Sequence, residues 1–273
     1  MPAECGPIRI DIVSFETSSS SQPPAASAPA AFTRESLVDG SMLAAIRAHA
    51  PAGTVMRSDA ELDASLDASL AGWNGGEDVW VFGYGSLMWN PAFHHAEAVK
   101  ARVHGWSRKF CLWLHMARGS PEQPGLMLAL DRGGACHGMA LRIEAAHARH
   151  ELGLLWRREM LTGAYEARWV GAAAADGRRM KALTFVANRR HPRYVGSLSG
   201  AETVGFIATA KGRLGTCSAY FDATLEALER LQIRDAGIER LRLAFAERAR
   251  CGVVPVPMSL ADAAAMPSRP PGA

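Results

Sequence analysis

Two short stretches of this chain carry side chains and backbone in combinations that could do chemistry. The first is Phe82-Gly83-Tyr84-Gly85-Ser86-Leu87-Met88, where an apolar run ends in a Gly-Tyr-Gly-Ser turn. Glycines at such a turn let a ligand approach the backbone closely. Successive backbone N–H groups there can form a nest for a carboxylate or an oxyanion. The same residues also suit a plain strand-to-loop turn, and the turn alone leaves both readings open. The second stretch is Trp156-Arg157-Arg158-Glu159-Met160-Leu161-Thr162-Gly163, in which Glu159 sits among Trp156, Met160 and Leu161. A carboxylate in apolar surroundings has its pKa raised, which suits a general base or acid. A surface Glu paired with a neighbouring Arg is the competing reading of the same residues.

Other chemistries are excluded by spacing. Gly83-Tyr84-Gly85 begins like a dinucleotide fingerprint, but Met88 stands where the third Gly is required. A hydrolase elbow around Ser86 needs Gly at that same position. No phosphate-binding GxxxxGK[ST] run occurs. The nine His form no HExxH or HxH pattern. His94 and His95 are adjacent and cannot share a face, whereas His147 and His150 could share one face of a helix. They lack a carboxylate at motif spacing and read as solvated surface, so no metal site is expected. The five Cys are scattered, with no CxxC pair, as in reduced thiols rather than a zinc site or a disulfide framework.

These residues need a scaffold, and the composition supplies one. The chain has 273 residues, 48% of them hydrophobic, enough for one large domain or two small ones with a buried core. With 30 Lys and Arg against 27 Asp and Glu, the net charge of +3 is too balanced for a dedicated nucleic-acid binder. No run approaches the ~20 apolar residues of a membrane span. The first fifteen residues hold Glu4 and Asp11 and lack a secretory pattern, so the cytoplasm is the expected location.

The organisation expected is a flexible extension over 1–32, a domain over 33–250 and a loose tail over 251–273. Within the domain, N-terminal helices occupy 33–76. Thr33 caps one helix running from Arg34 towards His49. Asp59 caps another, with Leu62, Leu66 and Leu70 on one stripe. Strands are expected at Val79–Phe82, Val99–Val103, Lys109–Leu114, Leu126–Leu130, Cys136–Ile143, Tyr165–Val170 and Met180–Val186. Gly105, Gly133-Gly134 and Asp176-Gly177 punctuate them. A helix over His147–Arg158 interrupts them, and helices at Cys217–Leu231 and through Ile238, Leu241 and Phe245 close the chain. The class is α+β, a small closed or strongly curved sheet with packed helices.

Taken in order, several runs resemble the ChaC-type γ-glutamylcyclotransferase family. They are Val81 to Pro91, His104-Gly105-Trp106-Ser107-Arg108-Lys109-Phe110, Arg118-Gly119-Ser120 with Pro124-Gly125, Arg157-Arg158-Glu159-Met160 with Gly163-Ala164-Tyr165, and Asn188 through Pro192-Arg193-Tyr194-Val195-Gly196. The match covers 79–233. Ser197 departs from it, standing where Pro is common.

The resemblance implies a small mixed β-barrel with flanking helices. It also implies an enzyme that cleaves glutathione to 5-oxoproline and Cys-Gly without metal, nucleotide or organic cofactor. By position, Glu159 would be the base and then the acid. Tyr84, Gly85, Ser86 and Leu87 would hold the γ-glutamyl group. Intramolecular attack by the substrate's own amine carries effective molarities on the order of 10⁵–10⁸ M, so no protein nucleophile is needed. Ser86 is then expected to act through its backbone N–H. Arg108, Arg118 and Arg158 are candidates for the substrate's two carboxylates, and Tyr194 for a hydrogen bond to it. Tyr165 and Tyr220 are expected to pack, and Trp80, Trp89 and Trp113 to form core or pocket wall. A different γ-glutamyl amide is the alternative substrate. A nucleic-acid module, resting on Arg189-Arg190 and the Arg-rich last helix, is weakened by the interleaved Glu226, Glu229, Glu239 and Glu247. Neither nucleic acid nor membrane is expected as a partner, and the sequence gives no oligomeric state.

Overall fold

The computed structural model describes residues 32–250. The expected flexible extension and tail lie outside the described residues, apart from Phe32.

Five strands close into a barrel. They are β1 (Val79–Gly83), β2 (Glu97–Leu114), β3 (Gly125–Ile143), β4 (Tyr165–Ala174) and β5 (Arg179–Ala187), neighbouring one another in the order β1-β3-β2-β4-β5. All consecutive neighbours run antiparallel. β5 then returns parallel to β1, with Trp80 opposite Ala182, and meets β3 at Leu130 and Val186. Closure leaves no long unpaired edge.

The sequence suggests four strands where the structure has two. Val99–Val103 and Lys109–Leu114 both belong to β2, and Leu126–Leu130 and Cys136–Ile143 both belong to β3. The glycines between them bend the strands without ending them. Gly105 lies opposite Gly133 and Gly134, all three at left-handed φ (79°, 99° and 72°). The register steps there from His104 opposite Ala135 to Trp106 opposite Arg132. An extra residue at left-handed φ is a bulge, which turns the ladder while keeping it paired. The Asp176-Gly177 turn between β4 and β5 stands as expected, with Gly177 at φ 88°.

The helix expected from Arg34 to His49 is two helices, α1 (Arg34–Val38) and α2 (Ser41–Ala48), with Gly40 at φ 75° between them. The Asp39 carboxylate accepts from the Ser41 N–H (2.8 Å) and restarts the chain. Thr33 caps α1 as expected. Ser58, rather than Asp59, caps α3 (Asp59–Ser69), with Glu61 accepting from the Ser58 N–H in return (2.7 Å). α4 spans Ala145–Glu159. The sequence reading missed α5 (Gly200–Thr209), although its capping box was present as Ser199-Gly-Ala-Glu202 ahead of an apolar run. A two-residue hairpin, β6 (Lys211–Gly212) with β7 (Gly215–Thr216), leads into α6 (Cys217–Arg230), and α7 (Ala236–Arg250) follows.

Two apolar clusters hold the helices to the barrel. Leu62, Leu66 and Leu70 at α3 and Leu152, Leu155 and Trp156 of α4 pack with Val79, Val81, Leu183 and Phe185. Phe206 and Ile207 of α5, Phe221 and Leu228 of α6 and Ile238 of α7 pack with Phe82, Val103, Phe110 and Leu128. Among the described residues no helix is long and apolar enough to cross a membrane.

Candidate active site

β1 delivers the glycine loop into this frame. Tyr84 is buried, and its hydroxyl donates to the Phe185 carbonyl of β5 (2.7 Å). The Tyr84 carbonyl in turn accepts from Arg108 Nε (2.5 Å). Tyr84 therefore fixes where the loop begins. Arg108, a sequence candidate for a substrate carboxylate, is wholly enclosed. It also pairs with Asp235 and donates to the His137 carbonyl (2.7 Å), so each of its nitrogens is engaged in holding the fold.

The loop next tightens into a 3-10 turn over Ser86–Met88. Its bonds run from the Met88 N–H to the Gly85 carbonyl (2.8 Å) and from Trp89 to Ser86 (3.2 Å). The N–H groups of Ser86 and Leu87 precede the first bond of that turn and so lie outside its ladder. Leu87 and Met88 are buried and pin the turn from below. Gly85 lies in a close approach, since a Cβ there would sit 3.3 Å from the Tyr220 hydroxyl and the ring would have to give way slightly.

Glu159 is the last residue of α4. The helix stops because Met160 caps it and Gly163, at φ 73°, turns the chain towards β4. The Glu159 side chain is 14% exposed, a carboxylate largely removed from solvent. Burial raises its pKa, and the adjacent Arg158 guanidinium works against that rise. The C-terminal end of a helix carries partial negative charge and also disfavours the ionised form.

Arg158 ties the carboxylate to the loop. Its Nε meets Glu159 Oε1 (3.0 Å), and its Nη2 donates to Ser86 Oγ (2.8 Å). Its Nη1 donates to the carbonyls of Asn90 (2.6 Å) and Pro91 (3.2 Å). The Phe32 ring covers the guanidinium at 5.5 Å, and the Asn90 amide donates to the Phe32 carbonyl (2.7 Å). Ser86 Oγ is thus an acceptor for Arg158 and keeps its own proton to donate.

Two tyrosines expected to pack do more than that. Tyr220 of α6 lies between Trp89 and Phe110, with centroids 5.9 and 6.1 Å away, and its hydroxyl points at Gly85. Burial and the Glu159 charge both raise its pKa. Among the described residues that hydroxyl has no hydrogen-bond partner. Tyr165 donates to the Leu128 carbonyl (2.6 Å), and Glu159 acts on its hydroxyl too. No motif marked Tyr220. Its place on the face of α6 that meets the barrel was readable, but the loop opposite it was not.

The remaining candidates lie apart from the carboxylate. Arg118 is half-buried and donates to the Thr216 carbonyl (3.2 Å) at the start of α6, the helix that carries Tyr220. Tyr194 is tied to a different carboxylate, donating to Asp131 Oδ2 (3.2 Å) beside Lys109 and Arg189. Glu159 is not among the groups that act on its hydroxyl. The structure therefore brings together Tyr84, Gly85, Ser86, Leu87, Arg158 and Glu159. Cys111, Cys136 and Cys217 are buried, with burial pushing their thiols up to about 12, 11 and 11, and they are inert at neutral pH. His147 and His150 are exposed on α4.

Comparison with known proteins gives a consistent picture. A family model described as ChaC-like protein matches residues 79–248. A glutathione-specific γ-glutamylcyclotransferase of Escherichia coli is 42% identical over 178 residues, covering 65% of this chain and 77% of its own. Glutathione-specific γ-glutamylcyclotransferase 1 of Mus musculus is 33% identical over 58% of this chain and 71% of its own. The fold resembles a crystal structure of a glutathione-specific γ-glutamyl cyclotransferase from yeast. That likeness has a TM-score of 0.58 at 20% identity, covering 62% of this chain and 96% of the yeast chain.

Proposed function

The chain belongs to the ChaC-like family, and on that premise we propose that it cleaves glutathione to 5-oxoproline and Cys-Gly with Glu159 as its single base and acid. The observation that carries this reading is a buried carboxylate tied through one guanidinium to a glycine loop, in a chain 42% identical to a glutathione-specific relative.

The substrate's α-amine is protonated at neutral pH and must lose a proton before it attacks. Glu159 takes that proton. An unperturbed Glu, with a pKa of about 4.3, is a poor base, and burial moves Glu159 towards the useful range. The amine nitrogen then bonds to the γ-carbonyl carbon and closes a five-membered ring. Charge builds on the carbonyl oxygen, where the N–H groups of Ser86 and Leu87 can receive it. One such donor is worth about 3–4 kcal/mol in acyl-transfer sites. As the amide bond breaks, Glu159 gives its proton to the departing cysteinyl nitrogen. The ring nitrogen still carries one proton in excess after its attack; the ionised Glu159 takes it and passes it to the freed amine, so 5-oxoproline leaves with a neutral ring N–H and Cys-Gly as an ammonium. One carboxylate serves all the transfers because each proton taken from the attacking nitrogen is given to the leaving one.

The test incubates the full chain with glutathione and follows 5-oxoproline and Cys-Gly by mass spectrometry, with Glu159→Gln in parallel. Both products are expected from the native chain. In the variant the rate should fall by about 10²–10⁴-fold, the usual worth of a general base. A folded native chain that forms neither product overturns the substrate. Equal rates in the two proteins would move the base away from Glu159.

A further inference from the structure

Among the described residues, four buried side-chain nitrogens have no hydrogen-bond partner: Arg34 Nε, His115 Nε2, Arg193 Nη2 and Arg248 Nε. Two of these belong to neighbouring residues. Arg193 Nε donates to the Trp113 carbonyl (2.6 Å), and the Trp113 N–H donates to the Arg193 carbonyl (2.7 Å). His115 stacks on Trp113, with centroids 6.4 Å apart and planes 22° apart. Burial, with the Arg193 charge adding to it, pushes His115 down to about 4, so its imidazole is neutral and offers one N–H.

Arg193 is a half-buried cation whose Nη2 is closed from solvent, and no carboxylate pairs with it among the described residues. Leaving a guanidinium so placed is costly unless an anion arrives to meet it. Its remaining bond locates it. Nη1 donates to Thr162 Oγ1 (3.1 Å), on the turn that follows Glu159. Three residues of chain span at most about 10–11 Å. The two residues of Cys-Gly, extended from the scissile amide, span about 7 Å and end in a carboxylate.

We infer that Arg193, with His115 beside it, receives the carboxylate of the leaving dipeptide and sets a preference for substrates that carry one there. The inference rests on the reaction proposed above. A planar guanidinium with a free Nη2 suits one carboxylate oxygen, and a neutral imidazole N–H suits the other. In this conformation Arg193 Nη2 and His115 Nε2 are both closed from solvent, so the carboxylate enters with a local side-chain shift. Of the arginines named from sequence, Arg108 and Arg158 are committed to protein acceptors and Arg118 donates to the Thr216 carbonyl at the start of α6, whereas Arg193 keeps a buried nitrogen with no acceptor.

The test compares kcat/KM for glutathione and for its analogue with a carboxamide in place of the glycyl carboxylate. It uses the full chain as wild type, Arg193→Gln and Arg193→Lys. Wild type should favour glutathione by about 10- to 100-fold, the worth of a charge-assisted hydrogen bond, expressed mainly in KM. Arg193→Gln should lose that preference, and Arg193→Lys should keep part of it. A wild type that turns over both compounds equally overturns the inference whether or not the variants fold well. So does a preference that survives in Arg193→Gln. A wild type that turns over neither compound instead removes the reaction itself.

Discussion

Arg158 offers the sharpest test of how the site is tuned, because it touches both halves of the proposed chemistry. Consider Arg158→Met. The guanidinium stands 3.0 Å from Glu159 Oε1 and opposes the rise that burial imposes on that carboxyl. An opposite charge within about 4–6 Å lowers a carboxylate pKa by about 1–3 units. Glu159 must be ionised to accept the amine proton, so its pKa sets the acid limb of kcat/KM. Removing Arg158 leaves burial unopposed, and the limb should move to higher pH by about 1–3 units. The plateau above the limb should fall as well, because Arg158 also holds Ser86 Oγ and the Asn90 carbonyl. Each charged hydrogen bond is worth about 1.5–3 kcal/mol, or roughly 10- to 100-fold where it is expressed in the transition state. The assay is glutathione turnover from about pH 5 to about pH 9, fitted for limb and plateau separately. Arg158→Lys should restore much of the limb but little of the plateau, since an ammonium cannot reach the same spread of acceptors. A plateau that falls while the limb stays fixed would refute the electrostatic argument and leave Arg158 a mere clamp. A limb that moves to lower pH would refute burial as the cause of the rise.

Three further outcomes follow from the same geometry. Tyr220→Phe should lower kcat/KM by about tenfold without shifting the melting temperature, because a hydroxyl facing the loop is lost and no internal hydrogen bond with it; unchanged turnover would remove Tyr220 from the site. Asp131→Asn should destabilise the chain by about 3 kcal/mol near neutral pH in urea melts, at the low end for a buried pair because Lys109 and Arg189 are 39% exposed and can turn to water. The partners of Asp131 hold its pKa below the ordinary value, so its contribution is present above the unfolded pKa and fades as pH falls through the folded one; the loss should therefore shrink in acid, with turnover of the folded protein unchanged. Glu159→Gln should melt higher than wild type at pH 8, since a carboxyl raised by burial costs stability above its folded pKa, by about 1.4 kcal/mol per unit of upshift, and the gap should close as pH falls below the unfolded value.

Much of the scaffold was legible because local patterning carried it. The α3 stripe Leu62, Leu66 and Leu70 and the α4 face Leu152, Leu155 and Trp156 are buried as their spacing requires. Glycines misled where their meaning depends on the partner strand. Gly105 reads as a break in one strand but is a bulge once Gly133 and Gly134 lie across from it. The break between α1 and α2 was signalled by Asp39-Gly40, a restart that an apolar period does not register. α5 was missed for a different reason, as its capping box was present but its apolar run is short.

At the candidate site, the two elements adjacent in chemistry were legible and their wiring was not. Glu159 and the loop at Tyr84 to Leu87 stand out by residue type and position, yet the three arginines considered for substrate are alike in sequence. Arg108 is separated from Asp235 by 127 positions and from Tyr84 by 24, and only the closed barrel shows that its charge is spent inside the fold. Arg158, beside Glu159 in sequence, lies against its carboxylate and opposes the rise that burial imposes on it. Burial alone would raise the Glu159 pKa and reduce the ionised fraction at neutral pH, and a fully solvated Glu would be too weak a base. A carboxyl that takes a proton from an amine and hands it to another must hold it with intermediate strength. The guanidinium at i, i+1 from the carboxylate at a helix end opposes the burial of that carboxylate and also holds Ser86 of the glycine loop, which on the proposed mechanism receives the oxyanion. Proton affinity and loop position are therefore coupled through one side chain, which is why limb and plateau should both respond to its loss and should separate only when its charge is kept and its reach is shortened.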